Sequence, residues 1–395
     1  MASLSLLFFL FLQLPLSLSS TLFLPLTKDP STNQYLTRIH HGSAQLPTSL
    51  IIDLNSPFLW LDCSSSPKPI TAVHCRSIQC TSAAPNPCPS SLSSNQQACS
   101  VLLQNPTTKV SATGELVETT VSFHDQISPV DSFLLSCAPS ILLSGLPSGA
   151  KGVFGLGRVR TGAISQISHF LDHPKRFSLC LSSESGMIYS SDDDIDVFKS
   201  MTYTPLLENK GDGSYIITLK AVQVQNKKLR LENVEPNMLS SSMKISTVDT
   251  YSRMETMVYR EFVTAFVNEA ESLNLNMKRV SSQGGFEVCY SVVERSTIVV
   301  PVIDLVLQSE MVKWRIYGHN SMVKVNDEVM CLGFLDGGLD LGDGISIILG
   351  AHQLEDNLLE FDLVSSMLGF SSSLIKSKTS CSYLSSSAMH RSAQA

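Results

Sequence analysis

The two halves of this 395-residue chain repeat one plan. In each, an apolar strand with a polar centre is followed, about a hundred residues on, by an apolar-glycine segment that leads into a helix. The first half carries "LIIDLNSPFLWL" (Leu50 to Leu61) and then "GVFGLGRVRTGAISQI" (Gly152 to Ile167). The second carries "KISTVDTYSRM" (Lys244 to Met254) and then "ISIILGAHQLEDNLLEFD" (Ile345 to Asp362). Such a repeat predicts a duplicated β-lobe whose copies face each other across a cleft. The length agrees, being more than one core needs and enough for two. The polar stretch around Ser190 to Thr204 reads as a surface junction, placing the lobes at 21–195 and 196–395.

Short β-rich runs such as "FLWLDC", "ELVETTVSF", "SYIITLKAVQV" and "PVIDLVLQ" alternate with Gly, Pro, Ser and Asn turns, which predicts an all-β protein. Two helices stand out. "AISQISHFL" sets Ile164, Ile167, Phe170 and Leu171 on one face, and "TMVYREFVTAFVNEAESL" does the same with Val258, Phe262, Phe266 and Ala270. Hydrophobic content of 43% with 16% charged residues describes a folded globular chain. The net charge of −7, with no basic run, sets a nucleic-acid surface aside.

Residues 1–20 are apolar, uncharged and rich in small residues towards their end, the pattern of a cleaved signal peptide; Pro15 and the short apolar core argue against a membrane anchor. A secreted protein is expected. The ten cysteines, Cys63, Cys75, Cys80, Cys88, Cys99, Cys137, Cys180, Cys289, Cys331 and Cys381, fit that compartment as a disulfide framework whose pairing the spacing leaves open. Ser64 to Ser100, rich in Ser, Pro and Cys, reads as a disulfide-pinned excursion. Asn105-Pro106-Thr107 is blocked by its proline as a glycan acceptor.

Several of these stretches resemble one plant family. "FLWLDC" (Phe58 to Cys63), "HCRSIQC" (His74 to Cys80), "SCAPSILLSGLPSGAKGVFGLGR" (Ser136 to Arg158) and "KISTVDTYSRMETMVY" (Lys244 to Tyr259) are similar to basic 7S globulins, extracellular dermal glycoproteins and inhibitors of xylanase and xyloglucan endoglucanase. "PVIDLVLQSEMVKWRIYGHNSMV" (Pro301 to Val323) and "GAHQLEDNLLEFDLVSSMLGFS" (Gly350 to Ser371) extend the likeness through the second half. The resemblance implies a bilobal pepsin-like aspartic proteinase fold with few short helices. Aspartic proteinases hold two carboxylates around one water, and their mutual repulsion splits the pKa values into an acid and a base. Each aspartate sits in an Asp-Thr/Ser-Gly turn, where glycine allows close backbone approach and a donated N–H.

Against that pattern, Asp53-Leu54-Asn55 keeps the acid and loses the hydroxyl and the glycine. Counted back from Tyr259, the second position falls on Ser246, which cannot share a proton. The rival Asp249, in "VDTYS", stands three residues off; on a strand an odd shift turns side chains to the opposite face, so a turn residue near the lobe interface is expected there. The stretch Lys109 to Phe123 has no flap tyrosine. The resemblance therefore implies a binding or inhibitor protein for glycoside hydrolases, or a globulin-like defence or storage protein, with an aspartic endopeptidase as the alternative. Between "GFS" and the last cysteine the family's xylanase inhibitors present a histidine; this chain offers Ile375, Lys376 and Lys378, which leaves the target open.

No cofactor or metal is expected. His169 and His173 lack a third ligand and Pro174 ends their helix. "DGGLDLGDG" (Asp336 to Gly344) reads as a hairpin turn rather than a calcium loop. His352, Glu355 and Asp356 read as helix capping and surface charge.

Overall fold

The computed structural model describes residues 21–64, 70–84, 88, 98–123, 128–190, 201–208, 211, 213–229, 241–273, 277–292, 299–342 and 344–392. The expected leader, the aspartates of the polar junction and the boundary between 195 and 196 lie outside these residues. Strands dominate, as the alternation predicts. Tyr35–His41 buries every second side chain, whereas Ile303–Val306 and the end of Leu46–Asp53 are buried on both faces.

The internal repeat becomes one substructure built twice. In the first lobe, Leu46–Asp53 runs parallel to Ala150–Gly155, bringing Asp53 opposite Gly155. In the second, Ser241–Ile245 runs parallel to Ile345–Leu349, and Ser246 donates its N–H to Leu349 O just beyond. The glycines are steric requirements. A Cβ at Gly155 would strike the backbone of Phe58 and Ser56, and one at Gly350 the backbone of Tyr251 and Asp249.

The halves share a sheet. Leu22–Lys28 pairs with Ser185–Ser190, which pairs with Arg176–Leu181; that strand takes Leu358–Asp362 from the far end of the chain as its neighbour. Met367–Phe370 and Thr202–Pro205 extend the sheet. One continuous core, from Leu22 to Phe370, runs beneath both lobes.

All ten cysteines pair: Cys63–Cys137, Cys75–Cys88, Cys80–Cys99, Cys180–Cys381 and Cys289–Cys331. Two of these bridges pin the excursion that holds helix Ile78–Ala83, capped by the Ser77 side chain. Among the described residues no helix is long and apolar enough to cross a membrane.

Three local expectations are corrected. Helix Ala163–Leu171 buries Ile164 and Ile167, but Phe170 is 43% exposed, because it falls well off the i, i+3, i+7 stripe. The helix ends before His173, so the two histidines do not share a helix face. Asp336 to Gly344 is not a hairpin turn: Phe334–Asp336 and Ile345–Leu349 both pair with Ser252–Met254, one on each side.

A fourth correction concerns Glu355, which is buried beneath the lobe junction rather than on the surface. Lys28 Nζ lies 2.6 Å from its Oε1, Tyr35 donates its hydroxyl to the same oxygen at 3.0 Å, and His352 Nδ1 stands 3.4 Å from Oε2. Burial raises the carboxyl's pKa, but the His352 hydrogen bond and charge, with the Lys28 charge, outweigh it and hold the group at about 2. A depressed folded pKa stabilises the fold above the ordinary glutamate range. Glu355→Gln should cost about 3 kcal/mol at neutral pH. The wild-type advantage should fade as pH falls from 4.5 towards 2, measured by thermal unfolding across that range.

Candidate functional site

The repeated parallel strands end at the lobe interface, where their turns face one another at the floor of a cleft of about 1050 Å³. Asp53, Asn55, Ser246 and Asp249 all line it. Asp53 is 6% exposed, and Asn55 donates its backbone N–H to Asp53 Oδ1 at 2.8 Å. The turn thus keeps its donor without glycine.

Asn55 also does something its sequence did not announce. In the second lobe, Thr247 donates its hydroxyl across the interface to Ile52 O at 2.9 Å and accepts the Leu54 N–H at 3.2 Å. The reciprocal hydroxyl is absent, because Leu54 stands there and is buried in the core. Asn55 fills in from the next position, donating Nδ2–H to Ile245 O at 2.9 Å. Each lobe therefore still bonds the carbonyl just before the opposite turn.

Ser246, 2% exposed, occupies in its lobe the strand position that Asp53 occupies in the other. Its Oγ accepts the N–H groups of Val248 and Asp249 at 3.3 and 3.0 Å and donates to Asp249 Oδ2 at 2.8 Å. Asp249 faces the cleft, contrary to the odd-shift expectation. The strand stops at Ile245 and the chain bends through 247 and 248, so the period of two does not carry from Ser246 to Asp249. Arg253 lies 3.9 Å from Asp249 on its other side.

Burial raises the pKa of Asp53; the Asn55 N–H, Lys244 and Lys109 pull it back, and Asp249 adds to the rise. An acid with a raised folded pKa stabilises the fold while protonated and destabilises it once pH exceeds that pKa. Asp53→Asn should therefore raise the melting temperature at pH 7 and lose that gain below the ordinary aspartate range. Thr247→Val and Asn55→Ala, by contrast, should each lower stability by about 1–3 kcal/mol, since each strands a carbonyl at the interface. Denaturant unfolding of the three variants measures both effects.

Ile375 and Lys376 lie outside the cleft, on the short 3-10 helix Leu374–Ser377. Ile375 is 46% exposed and Lys376 Nζ sits over the Tyr317 ring at 4.8 Å. The loop has no histidine of its own, yet His319 reaches it from another element, its Nε2 2.8 Å from Ser373 Oγ. Burial, followed by His352 and Lys376, lowers the His319 pKa. Among the described residues no group of His, Cys, Asp and Glu is arranged to hold a metal ion.

Two lobes whose matching turns meet over a cleft define a pepsin-like aspartic proteinase fold; an aspartic proteinase from Irpex lacteus shares it, with a TM-score of 0.63 at 14% identity over 89% of this chain and 97% of that one. Family models described as xylanase inhibitor N-terminal and xylanase inhibitor C-terminal match residues 35–189 and 214–372. A probable aspartic proteinase of Nicotiana benthamiana is 36% identical over 407 residues, 91% of this chain and 90% of the relative. The crystal structure of conglutin gamma, a unique basic 7S globulin from lupine seeds, superposes with a TM-score of 0.79 at 32% identity, covering 92% of this chain and 98% of that one. The chain belongs to this xylanase-inhibitor and basic 7S globulin family of aspartic-proteinase-like proteins.

Proposed function

We propose that the chain is a secreted, apoplastic binding protein on a non-proteolytic aspartic-proteinase scaffold. It acts as an inhibitor of cell-wall glycoside hydrolases or as a globulin-like defence or storage protein. The observation that carries this reading is Ser246. Its hydroxyl stands at the position matching Asp53, just past the strand, and donates a hydrogen bond to Asp249 Oδ2. A serine cannot alternate between acid and base, and one carboxyl cannot perform both halves of the reaction. Five disulfides support a secretory route. The family description as xylanase inhibitors supports a glycoside hydrolase as partner. The exposed loop at Ile375 and Lys376, backed by His319, is the surface we assign to that contact.

One observation favours a second reading, an aspartic-type endopeptidase using Asp53 and Asp249. Asp249 lines the same cleft and its charge acts on Asp53. Relatives carry the name probable aspartic proteinase.

A proteolysis assay on denatured substrate, from about pH 2 to about pH 7, separates the two, because dyad chemistry is acid-dependent. The purified protein should release no more peptide than Asp53→Ala at any pH. Activity lost in both Asp53→Ala and Asp249→Asn would establish the endopeptidase instead. Inhibition of a xylanase and an endoglucanase, with Ile375→Ala and Lys376→Glu weakening it about tenfold or more, tests the loop.

A further inference from the structure

The chain is acidic, with 28 Lys and Arg against 35 Asp and Glu, yet among the described residues the lining of its cleft is basic. Lys109, Arg158, Arg160, Lys244 and Arg253 line it, against Asp53 and Asp249. Two of these cations serve the fold: Arg158 donates to Leu207 O and Ser366 Oγ, and Arg253 leans towards Asp249. Lys109, Arg160 and Lys244 have no carboxylate within ion-pair distance among the described residues. They come from three different elements: the tip of the hairpin over the cleft, the loop after Ala150–Gly155, and the strand Ser241–Ile245. Low-dielectric walls focus such a field onto whatever enters.

The same cleft exposes a strand edge. Ser100–Gln104 pairs with Ser111–Ser122 and, among the described residues, with no other strand. The Leu116 N–H bond to Cys99 O and the Asn105 N–H bond to Val110 O fix the alternation of this ladder. Val101 and Leu103 bond inward to the hairpin partner, so Leu102 and Gln104 turn their N–H and C=O groups to the open side. Residues Val101 to Gln104 line the cleft, and Leu102 is 70% exposed. An edge with no second strand partner among the described residues, carrying an exposed leucine, is what soluble proteins ordinarily blunt. Among the described lining residues the one aromatic side chain is Phe58, 7% exposed, and these residues offer a sugar ring no open face to stack on.

We propose that the cleft binds an extended, acidic peptide segment, added as a strand to the edge of Ser100–Gln104, with Lys109, Arg160 and Lys244 pairing its carboxylates. Main-chain bonds to Leu102 and Gln104 supply the docking, and alternate side chains of the peptide meet the cations. The assignment rests on the binding-protein reading only in that the peptide is held and not cut; where it is held is argued from the cleft alone. It gives the remnant of the substrate cleft a ligand separate from whatever docks at Ile375 and Lys376.

The test is fluorescence anisotropy with a labelled peptide alternating Glu and Val, beside its Gln and Val counterpart. The acidic peptide should bind at least about tenfold more tightly, and raising salt from about 20 to about 300 mM should weaken it. Lys109→Gln with Arg160→Gln, both at exposed positions, should cost about tenfold, as should Lys244→Gln, with melting curves confirming folded protein. Methylating alternate peptide nitrogens should abolish binding in one of the two possible sets and spare the other. Equal affinity for both peptides, indifference to all three substitutions, or equal effects of the two methylated sets would overturn the proposal. A peptide bound and cut by the wild type but not by Asp53→Ala would overturn the non-proteolytic reading and leave the cleft assignment standing. A peptide neither bound nor cut would do the reverse.

Discussion

The hydrogen bonds that Thr247 and Asn55 send across the interface join the two turns at the floor of the cleft, and the places of Asp53 and Ser246 beside them depend on that tie. Each ties its own turn to the carbonyl preceding the other lobe's turn, Ile52 in one direction and Ile245 in the other. Both are charge-neutral, so the tie does not depend on whether an acid works between the turns. In a proteinase the clasp and the chemistry share the same few residues. In this chain they have come apart: Leu54 fills a hydrophobic position, Asn55 restores the lost bond, and Ser246 occupies its site without an acid. Neutral hydrogen bonds and packing tie the two turns together without a second acid at Ser246.

How much of this was legible in the sequence depends on the range of the interaction. The duplicated plan, the β character and the turn at Asp53 are local patterns of apolar periodicity and glycine, and the structure follows them. Asp249 was misplaced because the rule of alternation holds only while the chain is a strand, and the bend after Ile245 ends it. Glu355 was misjudged because its partners, Lys28 and Tyr35, lie more than three hundred residues away in sequence. Asn55 carried a signal that could have been found: a donor at the residue after a missing hydroxyl invites the question of what it donates to. The pairing of Cys180 with Cys381 had no such signal.

The distribution of charge separates two surfaces. Among the described residues the cleft concentrates cations in a chain of net negative charge, whereas the loop at Ile375 and Lys376 lies outside it, beside Tyr317 and His319. Nothing in the fold forces the two to be filled together. On the two proposals above, the cleft and the loop are separate recognition surfaces.

The bridge from Cys180 to Cys381 spans 201 residues and joins the strand shared by the two lobes to the C-terminal helix Cys381–Ser392. Closing so long a loop limits the unfolded chain by about 5 kcal/mol on an entropic account. The topological result is separate from that energy. A single nick anywhere in the second lobe between those cysteines leaves both fragments covalently attached and seated on the common sheet. In the secreted setting we propose, such a chain can be cut there without its two pieces separating.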